Sequence, residues 1–164
     1  MNTQLFFNPY NKTQKNYWHR DPQYHLTLAE QEEALEGPEV LHIRVALEDE
    51  PGIELIPGSH KRWDSSEEID TRLEQNGRHV FDELSEGLQI PMAAGDVLLF
   101  SANMIHRGIY DHEVERFAFD ILVCDSDPGL LEFVSLDVLP DESLMKELET
   151  PQLFENSLRL KLTG

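Results

Sequence analysis

A chain of 164 residues with 13 Lys and Arg against 32 Asp and Glu carries a formal charge of −19, which repels phosphate backbones and anionic membrane surfaces and disfavours nucleic acid or a membrane as partner. Apolar residues at 40% of the chain, among them eight Phe, four Tyr and two Trp, exclude wholesale disorder and supply one core, so a single globular domain over 1–164 is expected. The lone cysteine, Cys124, excludes an internal disulfide and is expected to be a buried thiol; with no signal-like N-terminus and no apolar run of about 18 residues, the expected location is cytoplasmic.

NYWHRD, at 16–21, is the first strand signal. In an extended strand His19 and Asp21 project from one face at metal-ligand spacing, against the plainer reading of a surface pair. Trp18, Tyr24 and His25 flank them, either as pocket walls or as core packing. Thr27 and Glu30 form a capping box that opens the helix LAEQEEALEG, with Gly37 as its stop. In the strand VLHIRVAL, apolar Leu41, Ile43, Val45 and Leu47 alternate with a second face bearing His42 and Arg44, which points either into a cavity or to solvent. GIELIP reads as a strand ending in the Pro57-Gly58 turn, followed by Ser59 and His60. A second helix is expected from Ser65, with Glu68, to Gly77.

Two more strands, DVLLFS and NMIHRGIY, bring His106, either a third metal ligand or a core histidine bonded to backbone. Two His and one carboxylate leave three adjacent positions open on iron(II), whereas structural zinc takes a fourth ligand. Arg116 lies ten residues beyond, across a connection from Gly108 to Glu115. Its guanidinium either clamps a carboxylate through two parallel hydrogen bonds or pairs with Asp120 or Glu115 at the surface. In RFAFDILVC, Phe117, Phe119, Ile121 and Val123 share one face, and Arg116, Ala118 and Asp120 the other; that second face lines a barrel interior or meets water. Asp141 caps a last helix, ESLMKELE. Short strands at this spacing predict a mainly β sandwich or small barrel with a few flanking short helices.

The segments YWHRD at 17–21, IPGSHKRW at 56–63, AGDVLLFSANMIHRG at 94–108, and Arg116 together resemble the phytanoyl-CoA dioxygenase (PhyH-like) branch of the iron(II)/2-oxoglutarate oxygenases. The resemblance runs from about Tyr17 to Cys124. It implies a double-stranded β-helix, the jelly roll of cupin-like barrels, with His19, Asp21 and His106 as iron ligands and Arg116 on the 5-carboxylate of 2-oxoglutarate. Arg44 and His42 are further candidate co-substrate contacts, and Trp18, Tyr24, Ser59 and His60 candidate substrate-pocket residues, His60 being a pocket or loop-fixing group rather than a ligand. The implied cofactors are Fe(II), 2-oxoglutarate and O2, and the implied reaction is hydroxylation of a small or medium organic substrate with release of succinate and CO2. Related halogenases resemble this pattern with a small residue in place of the carboxylate, so Asp21 favours hydroxylation.

The chain departs from the family's pattern in two ways. Relatives carry a long region of helices and strands before the His-x-Asp segment, whereas 18 residues precede His19 here, so the barrel is expected to be minimal or completed by another subunit, as in a homo-oligomer. Ser, Thr or Asn helpers between the distal His and the Arg are largely missing from RGIYDHEVE. The −19 charge further disfavours an acyl-CoA. Two rival readings are a cupin-like metal enzyme without 2-oxoglutarate and a non-catalytic barrel that binds 2-oxoglutarate.

Overall fold

The computed structural model describes residues 2–7, 16–111, 113–125, 127, 130, 137 and 139–163. Two antiparallel sheets form its centre, in the manner of a jelly roll. One has the order β1 (Asn2–Phe7), β7 (Phe117–Cys124), β2 (Val40–Ala46), β5 (Val97–Ser101); the other is β4 (Leu88–Met92), β3 (Glu50–Leu55), β6 (His106–Gly108). Between the sheets, Ile53 and Leu55 of β3 pack on Phe100 and Met104, with Ile90 and Leu98 against them. Trp18, Ile56, Leu84 and Ile105 form a second buried cluster.

The inner face of the larger sheet carries charged groups beside apolar Phe100 and Leu98. His42 and Arg44 in β2, and Asp120 in β7, are all buried, so both open readings resolve toward the barrel interior. Charged side chains are tolerated there because they pair: Arg44 meets Asp120 across the β2–β7 ladder in direct register. A bulge in β3 adds a third carboxylate. The register shifts between Glu50 and Ile53, which allows both side chains to be buried although they lie an odd number of residues apart. Gly52 makes the bulge with φ 78°, and a Cβ on it would overlap the Ile90 carbonyl.

The helices are short: α1 (Leu28–Glu33), α2 (Ser66–Arg72), α3 (Glu142–Glu147) and α4 (Gln152–Thr163). The expected capping boxes at Thr27–Glu30 and Ser65–Glu68 form, and Asp141 caps α3. Several sequence expectations are corrected. NYWHRD is not a strand: His19 makes an isolated bridge and Asp21 opens a 3-10 turn, because Pro22 cannot donate to a ladder. Both α1 and α2 stop short of their glycines, and beyond α2 Glu74 and Asn76 adopt positive φ. Cys124, at the end of β7, is half-buried rather than buried, its thiol pKa raised mainly by partial burial. No described helix is long and apolar enough to cross a membrane.

Candidate metal centre

His19, Asp21 and His106 are brought together by backbone pairing. His19 N–H donates to the His106 carbonyl at 3.0 Å, and His106 N–H returns the bond at 2.9 Å. Asp21 N–H donates to the Ala102 carbonyl at 3.1 Å, holding the segment against the end of β5. The extended backbone puts His19 and Asp21 on one side and Trp18 and Arg20 on the other. Trp18 is core, with Nε1 donating to the Asp82 carbonyl and Arg107 stacked over its ring. The Arg20 guanidinium anchors the reverse side. It donates to Asp64 and to the carbonyls of Ser59, Arg62 and Asn103, tying the ligand segment to both neighbouring loops.

One ligand atom from each of His19, Asp21 and His106 lies within 4.8 Å of the others. Both Nε2 atoms stand 3.6 Å from Asp21 Oδ1. The Nδ1 atoms face carbonyls, His19 that of Tyr17 at 3.1 Å and His106 that of Met104 at 2.8 Å, so each Nδ1 holds the proton and each Nε2 turns a lone pair toward Asp21. Burial lowers the pKa of His19 and takes that of His106 to about 3, the neutral form a metal needs. Asp21 resists the upward pull of burial: a hydrogen bond from His42 and the neighbouring imidazoles hold its pKa at about 2. Two imidazole lone pairs and one carboxylate oxygen fit a divalent transition metal with open positions.

From Asp21 a buried chain of alternating groups runs inward. His42 Nε2 contacts Asp21 Oδ2 at 2.7 Å, and its Nδ1 lies 3.4 Å from Asp120. Although burial works against it, these two carboxylates raise the His42 pKa to about 9. Phe100 stacks on the imidazole, with ring centroids 4.5 Å apart. Arg44 then bridges Asp120 at 3.0 Å and both oxygens of Glu50 at 3.0 and 3.2 Å. Arg116 Nε sits 3.1 Å from Glu50 as a charge contact without hydrogen-bond geometry, while Nη1 donates to the Ile109 carbonyl at 2.6 Å. Its guanidinium lies over the Tyr110 ring, 4.2 Å from the centroid. Burial, then the charge of Arg44, lowers its pKa.

These groups line a cavity of about 580 Å³. His19, Asp21, His42, Arg44, His106 and Arg116 all face it, and Tyr24 and His25 stand in its wall. The surface pairing weighed for Arg116 is not found; the side chain is buried. Trp18, Ser59 and His60, expected at the substrate pocket, do not line this cavity. Trp18 packs into the core, Ser59 is fully buried and bonds the Ile56 carbonyl and the Ile105 N–H, and His60 follows it in a 3-10 turn. Glu50, Tyr110 and Phe100 were missed from sequence. The bulge that allows Glu50 to be buried depends on pairing with β4, which contains Pro91 and was not read as a strand.

Comparison with curated proteins gives no match. Among solved structures, the chain resembles AviO1 from Streptomyces viridochromogenes Tue57, with 21% identity, a TM-score of 0.51, and coverage of 75% of this chain and 49% of that one. It also resembles EvdO2 from Micromonospora carbonacea var. aurantiaca (16% identity, TM-score 0.49, 75% and 52% covered). A third is EctD from S. alaskensis, solved with 2-oxoglutarate and 5-hydroxyectoine (21% identity, TM-score 0.49, 73% and 42% covered). The chain thus spans about half the length of these structures. The family model of phytanoyl-CoA dioxygenase matches residues 1–109, which include His19, Asp21 and His106, and on that match the chain belongs to the phytanoyl-CoA dioxygenase (PhyH) family.

Proposed function

We propose that this chain is the catalytic barrel of an iron(II)/2-oxoglutarate-dependent oxygenase that hydroxylates a small or medium organic substrate. The observation that carries the reading is the convergence of the two His Nε2 atoms on Asp21 Oδ1, with each opposite ring nitrogen turned to a carbonyl. Iron held there would, with 2-oxoglutarate and dioxygen, supply the oxidation of a C–H bond to C–OH with release of succinate and CO2. His42 engages Asp21 Oδ2, which leaves Oδ1 as the ligand oxygen. Arg116, on the cavity wall, is the group for the distal carboxylate of the keto acid. Tyr24, Leu26, Val40 and Leu122 provide the apolar and aromatic wall that would orient a substrate and exclude water.

No lysine, and no arginine besides Arg44 and Arg116, appears among the described lining residues. Together with the −19 charge this argues against a polyanionic substrate such as an acyl-CoA. Iron-dependent formation of succinate from 2-oxoglutarate, lost in His106→Ala, is the expected result in an aerobic assay. One observation favours a second reading, a metal enzyme without the keto acid: Arg116 already has a carboxylate, Glu50, at 3.1 Å. If Arg116→Ala leaves 2-oxoglutarate binding and activity intact, that second reading replaces the first.

A further inference from the structure

The motif IPGSHKRW at 56–63, with Asp64 after it, contributes no lining residue to the cavity of the metal site, yet it bonds to both segments that carry the ligands. β3 pairs with β6 as far as Leu55 opposite His106, and one step on Ile56 N–H donates to the Ile105 carbonyl at 2.9 Å. The return bond runs through Ser59. Pro57 and Gly58, the latter at φ 78°, turn the chain so that the hydroxyl enters the ladder: Ile105 N–H donates to Ser59 Oγ at 2.8 Å, and Oγ–H donates to the Ile56 carbonyl at 2.8 Å. The Ser59 carbonyl in turn accepts from Arg20 Nη1 at 2.9 Å. One residue thus holds the neighbour of His106 by its side chain and the residue between His19 and Asp21 by its backbone. Ile56, Ser59 and Ile105 are all fully buried.

Arg20 is itself held in one orientation by a closed circuit. Asp64 Oδ1 accepts from its Nε at 3.0 Å and its Nη2 at 2.8 Å, and Asp64 Oδ2 accepts from Arg72 Nε at 2.7 Å. Arg72 Nη1 donates to Gln23 Oε1 at 2.5 Å, the oxygen that also accepts from the Arg20 backbone N–H at 3.2 Å. We infer that Ser59 is a positioning residue for the metal ligands, acting through Ile105 and Arg20, an inference that rests on the metal reading proposed above. The mutual bridge of His19 and His106 ties the two segments at a single residue pair, about which they can pivot. Ser59 adds a second tie one residue from each, and two ties fix the angle at which the imidazoles meet Asp21. Ligand distances matter to a metal within about 0.2 Å, so a small pivot is enough to weaken it. In Ser59→Ala the buried Ile105 N–H and Ile56 carbonyl either lose their partner or close on each other, and both outcomes shift the residue before His106.

Titration of the full chain with cobalt(II) tests this, reading affinity by competition with a chromophoric chelator and ligand geometry from the visible d–d absorption. Ser59→Ala is expected to bind cobalt(II) at least about tenfold more weakly than wild type, with an altered band, although Ser59 touches neither metal nor cavity. Arg20→Lys keeps the charge but not the planar fork, and is expected to do the same; it carries the test should Ser59→Ala fail to fold by far-ultraviolet circular dichroism. Leu139→Ala, in the separate cluster with Phe154 and Leu158, is the control for lost stability alone and should keep the wild-type affinity and band. Wild-type affinity and absorption in a folded Ser59→Ala or Arg20→Lys protein overturns the inference and leaves the metal reading standing. Equal weakening in Leu139→Ala overturns it too, since the loss then follows stability and not position. A wild-type chain that binds no cobalt(II) overturns the metal reading and this inference with it.

Discussion

Arg44 touches neither the proposed metal position nor the proposed distal carboxylate of 2-oxoglutarate, yet its removal should weaken binding of the keto acid. Glu50 has a fully buried side chain and shares its two oxygens between Arg44 and Arg116. With Arg44 present Glu50 is neutralised and Arg116 remains available; in Arg44→Met the carboxylate has only Arg116 and faces any incoming carboxylate. At an effective dielectric near 20, two like charges separated by the width of a guanidinium, ~6 Å, repel by about 3 kcal/mol. That corresponds to a roughly hundredfold rise in Kd for 2-oxoglutarate. Isothermal titration of the anaerobic Mn(II)-loaded protein with 2-oxoglutarate measures it. Adding Glu50→Gln to Arg44→Met removes the opposing charge, and affinity should return to within about threefold of wild type. Binding unchanged in Arg44→Met, or no recovery in the double variant, would refute the electrostatic reasoning and leave Arg44 with a purely structural role.

His42→Ala frees Asp21 Oδ2 and removes the imidazole between two carboxylates; metal affinity should fall about 10- to 100-fold, as for other partners that orient a ligand, measured by competition with a chromophoric chelator. Arg20→Met leaves buried Asp64 with Arg72 as its remaining cation and releases three loop carbonyls; a loss of about 3 kcal/mol is expected in urea unfolding of the metal-free protein. Gly52→Ala places a Cβ against the Ile90 carbonyl at positive φ, which should cost about 2–3 kcal/mol and, by disturbing the bulge, weaken 2-oxoglutarate binding through Glu50 and Arg116. His106 has a folded pKa of about 3 against an ordinary 6.5, so its contribution to stability is complete above about 6.5 and is lost as pH falls toward 3. Asp21, depressed to about 2, acts in the same direction at lower pH, and urea midpoints of the metal-free protein should decline across that acid range.

What could be read from sequence were features with local causes. The capping boxes at Thr27 and Ser65 need only residues three apart, and they form as expected. Alternation in VLHIRVAL and RFAFDILVC separates two faces without saying which is inside, because hydrophobicity alone would turn Ile43 and Ile121 inward. The decision rests on pairing across strands: Arg44 with Asp120, and both with groups on other elements, make the polar side the buried one. His19 and Asp21 are spaced as in a strand, but the actual device is a two-bond bridge to His106, a contact 87 positions away. Glu50 reaches the interior only through a bulge defined by β4, and β1 has no partner until β7 closes the sheet 110 or more residues later. Such non-local pairings leave no periodic mark on a single segment.

The most direct test of the central claim is an anaerobic titration of the metal-free protein with iron(II) followed by 2-oxoglutarate, watching the weak visible charge-transfer absorption of a chelated keto acid. The band should appear only when both are present, saturate at one equivalent of each, and vanish in His106→Ala. Its absence from the wild-type protein, or its persistence unchanged in His106→Ala, would contradict the assignment of His19, Asp21 and His106 as the metal ligands.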